Sequence, residues 1–168
     1  GIIDSPCGNV FSVESSLEYL GFEYSILKKK NDFLGIQKII LPGVGNFHFL
    51  SDFLIEKNLH NCLSKFIQNK GHFLGICLGS QILCKRSEED SLFSEGLSLI
   101  NCNVLHLKKK KFNLIPNMGW GNLSWKVDRI FNKEVKFNNF YFYYNLQLFE
   151  KKVILAVLAT KILLAKSG

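Results

Sequence analysis

Short apolar runs alternate with amphipathic segments along the first half of the chain. This pattern is typical of β–α–β units that surround a parallel sheet. Four of the apolar runs predict strands, at residues 1–4, 22–27, 38–41 and 72–76. Their order predicts an α/β fold with an open, doubly wound, mostly parallel sheet and flanking helices, whose functional residues gather beyond the carboxyl ends of the strands.

Helical periodicity fills the segments between these strands. A first helix is predicted by apolar residues at positions i, i+4 and i+7, followed by a stop signal at Gly21. These apolar residues are Val13, Leu17 and Leu20. Apolar positions within residues 47–55 and 59–67 predict two further helical segments before the fourth strand.

The second half of the chain is less regular. Residues 97–107 predict a pair of strands, and residues 140–144 and 153–158 predict one strand each. The segment NMGWGNLSW, residues 117–125, predicts a glycine-bearing loop. No repeat or linker interrupts the sequence, so we expect a single domain over residues 1–168.

The net charge of +7 raises the question of nucleic-acid binding, since lysine clusters at residues 28–30 and 108–111 could neutralise phosphates. Arginine is scarce, however, with Arg86 and Arg129 as its two occurrences, and the lysine runs fall in segments predicted as loops. We therefore interpret the charge as a solvated basic surface and expect no nucleic-acid partner.

The cysteine and histidine positions argue against a metal site. Five cysteines occur without a CxxC pair, and the four histidines are scattered, so we expect reduced thiols, no zinc and no cofactor. The longest apolar run, around residues 153–158, is far shorter than the ~20 residues of a membrane span, and no signal-peptide pattern opens the sequence. We expect a cytoplasmic protein without a membrane partner.

The segment GICLG places Cys77 between Gly75 and Gly79, where the fourth strand passes into a helix. A nucleophile on such a turn, an elbow after a central strand, gains an approachable backbone and unpaired N–H groups. The positive end of the helix also favours a thiolate, so we expect a lowered pKa for Cys77. The N–H of Leu78 would point at an oxyanion beside the sulfur. The alternative is that Cys77 is a small buried hydrophobic residue.

The segment PGVG follows the third strand and would lie beside this elbow in a doubly wound sheet. Its two glycines allow a backbone N–H to turn towards a substrate carbonyl, which would complete an oxyanion hole. The alternative is an ordinary turn.

These motifs resemble the class I glutamine amidotransferases. The resemblance is specifically to the glutaminase subunit of imidazole glycerol phosphate synthase, in histidine biosynthesis, and to its relatives in surface-sugar amidation. The matching segments run in order along nearly the whole chain: IIDSPCGN, SVESSLEYLG, ILPGVGNF, FLGICLGSQILCKRSEED, GLSLI, IPNMGWGNL and KSG. The resemblance implies hydrolysis of glutamine to glutamate and ammonia, with the ammonia passed to a synthase (cyclase) subunit in a heterodimer.

The resemblance also assigns roles to individual residues. It makes Cys77 the nucleophile that forms a thioester, with oxyanion N–H groups from Val44 and Leu78. Gly45, Gln81 and Glu89 would bind the substrate glutamine. Met118, Gly119 and Trp120 would lie in a loop that faces the synthase.

Simpler interpretations stay open for three of these residues. Gln81 could face solvent on a helix, Glu89 could be an ordinary acidic cap on a loop, and Trp120 could be a core aromatic residue.

The sequence departs from the family towards its end. The family's base, a histidine in QFHPEKSG, and its orienting glutamate fall at Leu163 and Ala165 when the chain is aligned on KSG. We retain His48 as an alternative base, because its loop should border the site. Residues 140–168 are expected to be atypical or truncated relative to the family. Activity is therefore expected to be impaired, and a non-catalytic partner protein and a surface-sugar amidotransferase remain alternatives.

Overall fold

A four-stranded parallel sheet forms the centre of the described fold. The computed structural model describes residues 1–89 and 94–106, together with the backbone of three strands at residues 117–122, 139–144 and 146–148. The strands of the central sheet are β1 Ile2–Ile3, β2 Ile26–Leu27, β3 Lys38–Gly43 and β4 His72–Cys77. They lie side by side in the order β2-β1-β3-β4. With helices on its flanks, this sheet confirms the predicted α/β class.

The predicted helices are present. They are α1 Val10–Tyr19, α2 Phe47–Glu56 and α3 Leu59–Gln68, with a four-residue helix α4 Leu78–Gln81 and a short 3-10 helix Lys30–Phe33. The side chain of Asn9 accepts the N–H of Ser12 at the start of α1, and Asn46 does the same for Phe49 at the start of α2. Asparagine caps therefore set where both helices begin.

Strand β2 is shorter than predicted, and the end of α1 explains the difference. The N–H of Gly21 donates to the Glu18 carbonyl, and the N–H of Phe22 donates to the Leu17 carbonyl. Gly21 has the left-handed φ of 73° that this capping arrangement requires. Because Phe22 completes the helix end, the strand begins only at Ile26.

The core lies between the sheet and the pair α2 and α3. Both helices bury apolar residues at helical spacing, and the sheet contributes branched aliphatic residues. Fully buried examples are Leu50, Leu54, Leu59, Leu63, Ile3, Leu27, Ile39 and Leu41. In contrast, α1 has no buried residue. The central sheet is thus anchored mainly by α2 and α3.

The second half corrects two predictions. In the described part of residues 97–107 there is one strand, β6 Asn103–His106, and its partners come from elsewhere: β5 Arg86–Ser87 in parallel and β9 Leu146–Leu148 in antiparallel. The predicted loop is a strand over most of its length, since β7 Asn117–Asn122 pairs antiparallel with β8 Asn139–Tyr144.

Strand β8 confirms the strand predicted at residues 140–144. The strand predicted at residues 153–158 lies outside the described residues. None of the helices in the described part of the chain has the length and apolar character needed to cross a membrane.

Direct backbone packing joins α4 to the sheet at Gly79. A Cβ atom built on Gly79 would overlap the carbonyl oxygen of Leu41 in β3. On the opposite side of this contact, a Cβ on Gly43 would lie 2.6 Å from the Gly79 nitrogen. Only glycine allows so close an approach, so these two positions fix the distance between α4 and β3.

We expect Gly79→Ala to lower the free energy of unfolding by about 3 kcal/mol, because the added methyl group must push α4 away from β3. Gly35→Ala is the matched control, since Gly35 has a φ of 78° but open space around it. Backbone strain alone should cost that variant about 1–2 kcal/mol. Urea denaturation measures the free energy of unfolding of both variants. Equal decreases in the two variants would contradict the packing argument.

Candidate active site

Cys77 lies at the junction between β4 and α4 with a φ of 53° and a ψ of −115°. This backbone conformation is one that glycine adopts readily and other residues rarely do. In the parallel register of β3 and β4, Cys77 pairs with Gly43, the last residue of β3. The strained turn therefore presents Cys77 directly beside the PGVG segment, as the sequence pattern predicted.

Two local hydrogen bonds organise this turn. The N–H of Leu78 donates to the sulfur of Cys77. The hydroxyl of Ser80 donates to the Cys77 carbonyl at 2.6 Å. The first bond directs the Leu78 N–H at the reacting atom, where an oxyanion donor is needed. The second satisfies the carbonyl that the sharp turn removes from the sheet.

The acidity of the thiol differs from the sequence-based expectation. Burial raises the pKa of Cys77 above its ordinary 9.0, the Leu78 N–H opposes this shift, and the carboxylate of Glu89 adds to it. Burial disfavours the thiolate more strongly than one turn of helix favours it. The expected lowering was therefore wrong, and the thiol is protonated at neutral pH.

The PGVG segment holds one N–H away from the site. The N–H of Val44 donates to the carbonyl of Cys7 at 2.5 Å. Gly45 follows with a φ of 100° and open space where a side chain would be. The two N–H groups predicted to form the oxyanion hole therefore do not point at the same place in this conformation. The N–H of Leu78 faces the sulfur, whereas the N–H of Val44 is bonded to the Cys7 carbonyl. The Val44–Cys7 bond has no signal in the sequence.

Gln81 and Glu89 both lie near the elbow. Gln81 is only 7% exposed on α4, so it is not a solvent-facing helix residue. A carboxylate oxygen of Glu89 accepts the N–H of Phe47 at 2.8 Å, at the first turn of α2. Glu89 is therefore an acidic partner for a helix start, a favourable place for a negative charge. The N-cap residue Asn46 was the available sequence signal that a helix began there.

The described histidines have other partners or positions. His48 Nε2 lies 3.3 Å from Asp52 Oδ2, one turn along α2. His60 Nε2 lies 3.4 Å from the Gly96 carbonyl. His72 begins β4, at the opposite end of the strand from Cys77. His106 ends β6 on the surface. Within residues 1–89 and 94–106, no three His, Cys, Asp or Glu side chains gather as metal ligands would.

The other predicted residues are placed as follows. Met118, Gly119 and Trp120 belong to strand β7 and pair with residues 141–143 of β8, so the predicted loop is wrong at these positions. Leu163 and Ala165 lie outside the described residues.

Comparison with known families agrees with this geometry. The model of the CobB/CobQ-like glutamine amidotransferase domain matches residues 7–118, a span that contains both the PGVG segment and the Cys77 elbow. The chain belongs to the glutamine amidotransferase family. Membership confirms the resemblance found in the sequence motifs.

Individual relatives place this amidotransferase chain more narrowly. It is 40% identical over 124 residues to imidazole glycerol phosphate synthase subunit HisH from Prochlorococcus marinus, covering 74% of this chain and 57% of that protein. HisH from Caldanaerobacter subterraneus is 38% identical, over 86% of this chain and 69% of its own length. HisH from Leptospira borgpetersenii is 35% identical, over 94% of this chain and 79% of its own length. The chain therefore belongs to the HisH family.

A crystal structure of a glutamine amidotransferase superposes with a TM-score of 0.62. The alignment covers 86% of this chain and 70% of that structure, at 17% identity. At this identity the likeness establishes the fold alone.

The alkylation rate of Cys77 by iodoacetamide should rise with pH and still be rising at pH 9, because only the thiolate reacts and its pKa lies above 9.0. Peptide mass spectrometry across a pH series measures the rate at Cys77, with the partly exposed Cys62 as an internal comparison. A plateau of the Cys77 alkylation rate below pH 9 would show that the helix end and the Leu78 N–H lower the thiol pKa by more than burial raises it.

Proposed function

We propose that this chain is a glutaminase subunit, which hydrolyses glutamine and supplies the ammonia to an imidazole glycerol phosphate synthase (cyclase) partner in histidine biosynthesis. Membership of the HisH family supports the pathway. One observation supports the chemistry above all others: Cys77 occupies a strained strand-to-helix turn with the Leu78 N–H on its sulfur. The relatives described above are all HisH subunits, so we do not propose the surface-sugar alternative.

In the proposed reaction, the Cys77 sulfur attacks the carboxamide carbon of glutamine. The tetrahedral oxyanion collapses to a thioester and expels ammonia, and water then releases glutamate. Leu78 supplies one oxyanion donor. Val44 supplies the second only after its N–H leaves the Cys7 carbonyl, so this peptide must rearrange during activation.

We propose that substrate recognition uses Gly45, Gln81 and Glu89. Gly45 has no side chain beside the elbow and keeps that approach open. Gln81 lies buried one turn beyond Cys77, where an amide can bond a polar substrate group. The carboxylate of Glu89 carries a negative charge close to the thiol and would pair with the substrate ammonium group.

The proposed site lacks an identified base that would remove the proton of the Cys77 thiol. The family positions for the histidine and glutamate hold Leu163 and Ala165, and burial keeps the Cys77 thiol protonated. Loss of the base in a comparable triad costs several orders of magnitude in rate. We therefore propose slow glutamine hydrolysis by this chain. The same observations favour a second candidate, a non-catalytic subunit that binds the synthase.

The proposed partner is the synthase subunit, with which the chain would form a heterodimer. Met118, Gly119 and Trp120 are the proposed contact residues. Their support is the match of the segment IPNMGWGNL to the family and the regular strand backbone of β7.

A diazo-ketone analogue of glutamine should label the full chain at Cys77, because the elbow aims the sulfur at a bound carboxamide. Cys77→Ala should abolish the mass adduct, and the matched control Cys62→Ala should leave it unchanged. Intact-mass and peptide mass spectrometry give both readouts. Absence of an adduct on a folded chain would reject the glutaminase proposal and support the non-catalytic candidate.

His48→Ala should leave the rate of Cys77 labelling within about twofold, because the His48 imidazole is engaged by Asp52. His72→Ala, at the far end of β4, controls for loss of a surface histidine. The measurement is the labelling rate at a fixed analogue concentration. General-base catalysis contributes ~10²–10⁴-fold, so a hundredfold loss specific to His48→Ala would identify His48 as the base.

A further inference from the structure

Two buried thiols outside the candidate site lie almost in bonding contact. The sulfurs of Cys84 and Cys102 are 2.8 Å apart, and the residues are 0% and 5% exposed. A disulfide bond is about 2.0 Å long, so a movement of less than about 1 Å separates the pair from a covalent link. The proposed glutaminase reaction uses neither thiol.

The surrounding backbone brings the two residues close together. The N–H of Lys85 donates to the Cys102 carbonyl at 2.9 Å, immediately before the parallel pairing of Arg86 with Asn103. Cys84 lies in a bend and Cys102 in a loop, each just before one of these two paired strands. The pairing of β5 with β6 and the Lys85–Cys102 hydrogen bond therefore hold the two cysteines beside each other.

Cys84 is also tied to the elements around the elbow. Its N–H donates to the Gln81 carbonyl at the end of α4, and its carbonyl accepts the N–H of Ser98 at 3.1 Å. A covalent bond to Cys102 would join the residues after α4 to the start of β6. It would close a loop between two residues 18 positions apart.

We propose that Cys84 and Cys102 are a modification site, which a peroxide oxidises to a disulfide in the folded chain. Cys102 is the slightly more exposed of the two residues, so the first step is assigned to its sulfur. Its thiolate attacks one peroxide oxygen, the O–O bond breaks, and a sulfenic acid and one water form. The Cys84 sulfur then attacks the sulfenic sulfur, the S–O bond breaks, and a second water leaves. Two electrons pass from the sulfurs to one hydrogen peroxide, which yields two waters.

The disulfide should stabilise the fold. A bridge across a loop of this length restricts the unfolded chain, and the corresponding increase in Tm is about 5–10 °C for a domain of this size. Reduction should reverse the increase.

The test uses the full chain with Cys77→Ala, so that oxidation of the candidate nucleophile does not enter the measurement. After treatment with hydrogen peroxide at neutral pH, the intact mass should fall by about 2 Da, for the two hydrogens lost when the thiols join. Non-reducing peptide mapping should yield a Cys84–Cys102 linked peptide. The Tm should rise, and dithiothreitol should restore the original mass and Tm.

Two variants sharpen this test. Cys102→Ala should abolish both the linked peptide and the peroxide-dependent rise in Tm, whereas Cys62→Ala should leave both intact. The linked peptide from the Cys77→Ala chain decides the matter if Cys102→Ala fails to fold. Four titratable thiols after treatment, oxygen adducts on Cys102 without a link, or links that involve Cys7 or Cys62 would each overturn the proposal.

Discussion

The position of the candidate nucleophile depends on direct contact between the backbone of α4 and the central sheet. Gly79 lies against the Leu41 carbonyl, and Gly43 lies against the Gly79 nitrogen. With no side chain between them, α4 begins at the very end of β4, and the first N–H of the helix reaches the Cys77 sulfur. The same contact keeps the PGVG segment beside the elbow. The candidate site is therefore a product of main-chain packing more than of side-chain packing.

This close packing has an electrostatic consequence. It removes water from around the thiol, and burial outweighs the favourable N–H of Leu78. A helix of four residues has few aligned peptide dipoles, so it offers little compensation. Geometry and reactivity are thus separable here, since the fold can orient Cys77 without making it a thiolate. A proton acceptor for the thiol therefore has to come from another group.

The sequence predicted the central fold well, because α2, α3 and β3 each carry a local hydrophobic period. The failures share a different origin. Strand β7 contains Gly119 and Gly121, which suggest a loop, and its extended form depends on pairing with β8 some twenty residues later. The Val44–Cys7 bond and the approach of Cys84 to Cys102 likewise join residues that are distant in sequence. The cysteine elbow was predictable because its glycines are adjacent to it. The acidity of Cys77 was not, because burial is a property of the assembled core.

The strained backbone conformation of Cys77 also has a consequence for the evolution of this position. A non-glycine residue with a φ of 53° and a ψ of −115° costs the folded state about 1–3 kcal/mol, and glycine at this position would avoid most of that strain. A chain under selection for stability alone would gain from glycine at residue 77. The cysteine therefore lowers the stability of the folded state at this turn, a cost that the proposed chemistry of its sulfur would explain.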